Sequence, residues 1–306
     1  MTNVFIDGSA GTTGLRIHQR LEGRADIQLL QLPEAARKDP AARREQMNAA
    51  DVVFLCLPDA AAVEAVGLVE NPNTVVIDTS TAHRTAPDWT YGFPELSGQR
   101  ERIRGAHRIA NPGCHASGFI ALVAPLVENG LLLPDARLSC FSLTGYSGGG
   151  KRMIADYEAD PAGLLAPRMY GLSQSHKHLP EMQKLCGLTT PPIFSPIVSS
   201  YYAGMEVVVP LFAEQLRGTL ADVRKCYQGY YASGLVRYSD ADEAGFLSAA
   251  ALAGSDQMQV GVFGNDERLQ LVARFDNLGK GASGAAIQNM NIVLGLDEAT
   301  GLVLEG

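Results

Sequence analysis

Cysteine is scarce in this chain of 306 residues. There are five, an odd number, too few for a disulfide framework, and at least one thiol has to stay free. That usage fits a reducing compartment and predicts a cytoplasmic protein. Basic charge is also short: 25 Lys and Arg face 33 Asp and Glu, for a net charge of −8. Nucleic-acid binding needs clustered basic excess, so it is excluded as the main activity. No apolar run approaches the roughly 18 residues that span a bilayer, and the best candidate, 119–127, carries Pro125. The first residues, MTNVFIDGSAGTTG, have no basic flank before an apolar stretch, so neither an export signal nor a membrane association is expected. Repeats and low-complexity tracts are absent. What remains is an ordinary globular composition, 46% hydrophobic and 19% charged, at a length that suits two domains.

The first part of the chain alternates strand and helix signals. Apolar runs at 4–6, 27–32, 51–57 and 75–79 read as strands, the third (DVVFLCL) buried on both faces. Helical patterns follow the first run, with Leu15, Ile17 and Leu21 inward, and occupy 41–48 after Pro40. Such alternation predicts a parallel sheet covered by helices. Beyond residue 115 the texture changes. A helix at 116–129, ended by Gly130, precedes strand-like segments at 137–143, 193–199, 206–210, 257–263 and 269–275. Strands with few helices between them predict a mixed or antiparallel sheet in an α+β domain. The stretch from 281 is helical again and is expected to return to the first domain. The expected division is 1–115 with 280–306, and 116–279.

The first strand runs into Gly8, Ser9, Ala10, Gly11, Thr12, Thr13 and Gly14 and then into a helix. Strand, glycines and helix in that order present backbone N–H groups and a helix N-terminus to a phosphate, and glycine lets the pyrophosphate approach. The spacing is G-x-x-G-x-x-G rather than G-x-G-x-x-G, yet its context makes a dinucleotide site the better reading than a bare turn. The first domain is therefore expected to be an α/β, Rossmann-type dinucleotide-binding domain. Glu34, twenty residues after Gly14, suits a ribose hydroxyl and hence NAD; Arg37 and Lys38 suit a 2′-phosphate and hence NADP. The residues alone leave both open.

Asn111-Pro112-Gly113-Cys114-His115 lies between a short strand at 108–110 and the helix that follows, so Cys114 falls at a helix N-terminus, where thiolate is favoured. An ordinary thiol of pKa near 8.5 is only about 3% thiolate at pH 7, and bringing it to about 6 takes roughly 3.4 kcal/mol. A helix end supplies part of that and a nearby cation the rest. Cys114 is the leading nucleophile, while Cys56 and Cys140 inside strands, and Cys186 and Cys226, read as small buried hydrophobes. His176 and His178, two apart before Pro180, would point to one side of an extended segment, and one could act as acid/base beside a thiolate. A zinc reading lacks two further ligands, so no metal is expected. His18, His83 and His107 stand alone and carry no assignment. The loop Gly145 to Lys151, with Ser147, Gly148, Gly149 and Lys151, reads either as a flexible surface loop or as an anion nest. Arg84 and Arg108 are further cations for an anionic substrate.

Taken together, GSAGTTG at 8–14, LCLPDAA at 55–61, DTSTAHR at 78–84, YGFPEL at 91–96, NPGC at 111–114, TGYSGGGK at 144–151, HKHLPE at 176–181 and DNLGKGASGAAIQNMN at 276–291 resemble the N-acetyl-γ-glutamyl-phosphate reductase family, in its shorter form. A wider likeness is to aspartate-semialdehyde dehydrogenase. The resemblance implies NADP(H), a cysteine thioacyl intermediate on Cys114, an α+β catalytic and oligomerisation domain with a mixed sheet, and a homo-oligomer, dimer or tetramer. It implies cofactor contacts from Leu57, Pro58, Ser80, Asn277, Gly279 and Gly281, with Lys280 nearby. Substrate contacts are expected from Arg84, Asn111, Arg108, Ser147, Gly148, Gly149 and Lys151, acid/base work from His176 or His178, and orientation from Glu181. Alternatives are reduction of another acyl phosphate such as aspartyl phosphate, a non-catalytic dinucleotide-binding regulator, and a hydrolytic cysteine enzyme. The last gives the glycine loop nothing to do.

Overall fold

The computed structural model describes residues 1–304. Two compact units form, one from Met1–Pro112 with Ala282–Leu302, the other built on Gly113–Gly281. The first unit opens with β1 (Thr2–Asp7), α1 (Thr12–Leu21), β2 (Ile27–Leu30), α2 (Pro40–Ala49), β3 (Val52–Leu55) and α3 (Asp59–Val66). It continues with β4 (Val75–Asp78), β5 (Thr90–Tyr91), α4 (Gln99–Arg104) and β6 (Arg108–Ala110). The second unit contains α5 (Cys114–Glu128), β7 (Ser139–Gly145), α6 (Gly150–Ala159), β8 (Arg168–Met169), α7 (Leu179–Leu185), β9 (Ile193–Ser199) and β10 (Met205–Phe212). Then come α8 (Leu220–Tyr230), β11 (Val236–Tyr238), β12 (Met258–Gly264) and β13 (Arg268–Phe275). The chain returns to the first unit as α9 (Gly284–Val293).

Six parallel strands in the order β2-β1-β3-β4-β6-β5 make the first sheet. Its apolar residues serve two cores in alternation, as a strand period of two requires. Val4, Ile6, Val52, Phe54, Val75 and Ile77 meet Ile17 and Leu21 of α1 and Ala286, Ile287 and Met290 of α9. Phe5, Val53, Leu55 and Val76 meet Met47 of α2 and Ala65 of α3. This two-sided burial is why the sequence shows uninterrupted Val/Ile/Phe runs here. On α1 the buried residues are Gly14, Ile17 and Leu21. Leu15, expected inward, is 45% exposed, because it sits about 100° around the helix from Gly14. Nor is His83 an isolated residue: its Nδ1 lies 2.6 Å from Asp78 Oδ2, and its ring stacks on Trp89 at 4.1 Å.

The second sheet is mixed, in the order β11-β12-β13-β10-β7-β9-β8. The β7–β9 and β11–β12 pairs are parallel and the rest antiparallel. α5 lies against this sheet, and the contact is close enough to need glycine: a Cβ on Gly118 would sit 2.5 Å from Val207 Cγ2 and 2.9 Å from Phe275 Cε1. Pro125 lies within α5 and lacks the N–H that would bond the carbonyl of Ala121. The hydroxyl of Tyr231 donates to that carbonyl at 2.7 Å instead, so proline is tolerated without an orphaned acceptor. On the sheet's other face Phe141, Ile193 and Phe212 are exposed.

Candidate active site

Cys114 is the first residue of α5, with Gly113 as its N-cap in extended conformation, so the thiol stands at the positive end of a fifteen-residue helix. It is partly exposed. Gly281 packs closely against it, since a Cβ there would come within 3.1 Å of Cys114 Cβ. The remaining cysteines are thiols held out of use. Burial pushes Cys56 up to about 12, with the nearby Asp78 and Asp7 adding to it, and burial likewise raises Cys140, Cys186 and Cys226.

The segment before α7 brings an imidazole pair to this end of α5. The rings of His176 and His178 meet at 4.7 Å, nearly perpendicular. An extended segment is not what juxtaposes them. His178 has helical backbone angles, and the chain turns, with Leu179 N–H donating to His176 carbonyl at 3.0 Å. In that turn the His178 amide donates to His176 Nδ1 at 3.2 Å, which leaves the neutral ring's own proton on Nε2. His176 is partly exposed, whereas His178 is buried. Glu181, only 1% exposed, accepts the Gly113 amide at 3.2 Å through Oε2, and its Oε1 lies 3.9 Å from His178 Nε2. One carboxylate thus ties the start of α5 to the histidine turn.

Three residues that sequence reasoning did not single out complete the cluster. His115, immediately after Cys114 and 2% exposed, has Nδ1 2.6 Å from Ser142 Oγ and Nε2 2.7 Å from the Tyr170 hydroxyl. Burial, helped by His176, pushes its pKa down to about 3, so the ring is neutral. Tyr170 packs against His176, and its phenol is raised above the ordinary range by burial and by the nearby Cys114. His115 was visible as the neighbour of Cys114. Ser142 and Tyr170 come from a strand and from the end of another, and no spacing links them.

In the first unit a cavity of about 510 Å³ opens beyond β1 and β2. Asp7, Gly8, Ser9, Ala10, Leu30, Leu57, Arg37, Lys38 and Arg43 are among its walls. Gly8 has φ +84°, and a Cβ on it would strike the Cys56 carbonyl at 2.3 Å; Gly14 would meet the Gly8 carbonyl at 2.5 Å. A Cβ on Gly11, N-cap of α1, would make only ordinary contacts at 3.4 Å and beyond, and the Gly11 amide donates to the Gly8 carbonyl at 2.9 Å, closing the turn. Thr12 and Thr13 begin α1. The walls fit a dinucleotide: a glycine turn at a helix start for the pyrophosphate, and Arg37 and Lys38 for an extra phosphate. Glu34 is not among the wall residues. Arg43 was missed by the sequence reading; its Nε and Nη2 both donate to Asp7 Oδ2, at 3.2 and 2.8 Å.

Other expected site residues fall as follows. Pro58 caps α3, and Ser80 bonds Asp78 through both its amide and its hydroxyl, at 2.9 and 2.7 Å. Arg84, 8% exposed, donates to the carbonyls of Asn111 at 3.0 Å and Thr79 at 3.2 Å. Arg108 lies over the Trp89 ring at 5.7 Å. Asn111 donates to the Ala282 carbonyl at 3.0 Å and accepts from Asn289 at 3.3 Å. Ser147 is buried and accepts from Asn277 Nδ2 at 3.0 Å, while Asn277 Oδ1 accepts the Gly204 amide at 3.0 Å. Gly148, Gly149 and Lys151 are exposed. Gly279 is packed so tightly that a Cβ would meet the Ser255 carbonyl at 2.2 Å, and Lys280 is fully buried. Among the described residues no group of three His, Cys, Asp or Glu is arranged to hold a metal, and no helix is long and apolar enough to cross a membrane.

Fold and site together define a nucleotide-dependent oxidoreductase of the semialdehyde dehydrogenase type. Residues 8–106 match the family described as semialdehyde dehydrogenase, NAD binding domain, and 114–277 match semialdehyde dehydrogenase, dimerisation domain. Solved structures agree in fold: aspartate semialdehyde dehydrogenase II of Vibrio cholerae, complexed with ASA, superposes with a TM-score of 0.72 at 16% identity over 96% of this chain and 98% of that one. Another is aspartate semialdehyde dehydrogenase with NADP from Candida albicans, at a TM-score of 0.66 and 16% identity, covering 96% and 98%. N-acetyl-γ-glutamyl-phosphate reductase of Brucella anthropi is 50% identical over 95% of this chain and 98% of its own length. The enzyme so named from Burkholderia lata is 47% identical over 95% and 96%. The chain belongs to the N-acetyl-γ-glutamyl-phosphate reductase family.

Proposed function

We propose that this protein reduces N-acetyl-L-glutamyl 5-phosphate with NADPH to N-acetyl-L-glutamate 5-semialdehyde and phosphate, a step of arginine biosynthesis, with Cys114 as nucleophile. The observation that carries the chemistry is one partly exposed cysteine at a helix N-terminus, beside two histidines and a tyrosine, in a chain whose other thiols are held protonated. The Cys114 thiolate attacks the acyl carbonyl, the carbonyl–phosphate bond breaks and phosphate leaves, giving a thioacyl enzyme. NADPH, when bound, would supply hydride; the thioacyl carbon reaches the aldehyde level as its bond to sulfur breaks and the Cys114 thiolate is returned. His176 moves the proton at the sulfur and at the substrate oxygen, being the partly exposed ring of the pair. His178 and Glu181 are positioning residues, buried together and joined to the start of α5 through Gly113. Backbone amides of α5 and the Tyr170 hydroxyl are the donors available to the developing oxyanion. In the other unit, the turn from Gly8 to Gly14 would hold the cofactor pyrophosphate, and Arg37 and Lys38 its 2′-phosphate.

The test runs the reaction in reverse, with N-acetylglutamate semialdehyde, phosphate and NADP⁺, following reduced nicotinamide. Wild type is expected to turn over only with phosphate present, and Cys114→Ala to lose at least about 10³-fold, the scale of removing a covalent nucleophile. Preference for aspartate semialdehyde would overturn the substrate, and undiminished turnover by Cys114→Ala would overturn the nucleophile. A cytoplasmic homo-oligomer completes the reading, its subunits meeting through the uncovered face of the second sheet at Phe141, Ile193 and Phe212.

A further inference from the structure

Ser142, His115 and Tyr170 form a chain of hydrogen bonds whose direction can be worked out. His115 is neutral, so one ring nitrogen donates and the other accepts. Two arrangements satisfy the distances of 2.6 Å to Ser142 Oγ and 2.7 Å to Tyr170. In one, the imidazole Nδ1–H donates to Ser142 and the Tyr170 hydroxyl donates to Nε2. The Ser142 proton then has no acceptor, at a position that is fully buried. In the other, Ser142 donates to Nδ1, Nε2–H donates to the Tyr170 oxygen, and the Tyr170 proton is the one left over. Tyr170 is partly exposed, and its hydroxyl is held 2.7 Å from the ring of the residue that follows Cys114, so its proton can be taken by water or by a reacting group. A fully buried hydroxyl proton left unmatched loses its hydrogen bond to water with nothing in return, which selects the second arrangement.

We infer that Ser142 and His115 are positioning residues that fix the Nε2–H tautomer and thereby turn the Tyr170 hydroxyl proton toward the Cys114 side of the site. There it is available to the sulfur anion before attack and to the carbonyl oxygen as charge develops on it. Neither Ser142 nor His115 touches the reacting atoms in this arrangement; both act only through Tyr170. The inference rests on the reaction proposed above for its kinetic test, and on Cys114 chemistry alone for a second one.

Because Ser142 acts only through Tyr170, the two substitutions must not be additive. The full-length enzyme is compared as wild type, Ser142→Ala, Tyr170→Phe and the double variant in the reverse reaction. Ser142→Ala is expected to lower kcat about 5- to 10-fold with KM for the semialdehyde unchanged, the scale of one redirected hydrogen bond. In the Tyr170→Phe background the same change should alter kcat by less than about 2-fold. The same cycle is read without substrate, from the rate of Cys114 alkylation by iodoacetamide at pH 7, followed by peptide mass. Ser142→Ala and Tyr170→Phe should each slow it, and the double variant no more than Tyr170→Phe. Equal losses in both backgrounds would make Ser142 a merely structural residue and sink the inference, as would the absence of any loss in the wild-type background. Ser142→Cys, close in volume but a weak donor, gives the same pattern if the alanine variant fails to fold. A wild type that alkylates as expected but shows no phosphate-dependent turnover would refute the proposed reaction and leave the relay standing.

Discussion

Replacing Gly118 by alanine tests whether α5 holds the nucleophile in place by its contact with the second sheet. The added Cβ would lie 2.5 Å from Val207 Cγ2, 2.8 Å from Val207 Cβ and 2.9 Å from Phe275 Cε1. Rotating the valine cannot relieve the middle contact, because Val207 Cβ is fixed to the backbone of a central strand. Ordinary contact begins near 3.4 Å, so helix and sheet must part by several tenths of an ångström. Overpacking of this kind costs about 1–3 kcal/mol. Alanine's better helix propensity returns about 1 kcal/mol, leaving a net loss of about 2 kcal/mol at the upper end. The contact to a fixed Val207 Cβ puts this site at that upper end, so at about 2–4 °C per kcal/mol the unfolding midpoint should drop by about 4–8 °C. Cys114 is the first residue of the displaced helix, and misplacement approaching 1 Å costs up to about 10²-fold in rate. Scanning calorimetry and reverse-direction kinetics would measure both, with Gly229→Ala as control. Gly229 is also helical, but nothing lies within 4 Å of its added Cβ, so that variant should be slightly stabilised and fully active. If Gly118→Ala unfolds within about 1 °C of wild type and keeps its kcat, the sheet does not position the nucleophile in the way argued.

Two further expectations concern other parts of the molecule. Serine at Arg37 or Lys38 should raise KM for NADPH about 10-fold, or about 1.4 kcal/mol, and leave KM for NADH unchanged; equal effects on both nucleotides would remove the 2′-phosphate from that wall. His115, held neutral down to about 3 in the folded state, takes up a proton near pH 6.5 when unfolded. Its contribution is therefore fully present above pH 6.5 and is lost as pH falls from there toward 3, at up to about 1.4 kcal/mol per unit. Urea unfolding at pH 7 and pH 5 should show wild type losing about 2 kcal/mol more than His115→Gln over that interval, and parallel losses would refute the assignment.

Much of the architecture was legible because burial writes directly into sequence. β9 was read at its observed bounds, and the parallel strands stood out as unbroken apolar runs because both faces of their sheet are covered. Leu15 was misread because a helix of ten residues offers few turns from which to find its inner face, and glycine, not leucine, occupies the close-packed position at its start. The histidine pair was noticed for its spacing, but the rings meet through a helical turn at His178, a local geometry that alternation rules do not describe. Ser142 and Tyr170 gave no signal at all. They reach His115 from 27 and 55 residues away, and only the pairing of β7, β9 and β8 brings them to it. The same holds for Arg43 and Asp7, whose bond spans 36 residues.

The place of α9 has a consequence for the order in which the protein can be made. Ala286, Ile287, Met290 and Ile292 belong to the same core as Val4, Ile6 and Ile77. A ribosome delivers the six strands of the first sheet early and that helix only after Gly113–Gly281 of the second unit has been synthesised. One face of the nascent sheet, with α1 over part of its apolar residues, therefore waits incompletely covered until α9 arrives. Nascent chains of this protein carry a long-lived sticky surface, a natural target for chaperones acting at the ribosome, and early termination anywhere before α9 leaves the nucleotide-binding half without one wall of its core.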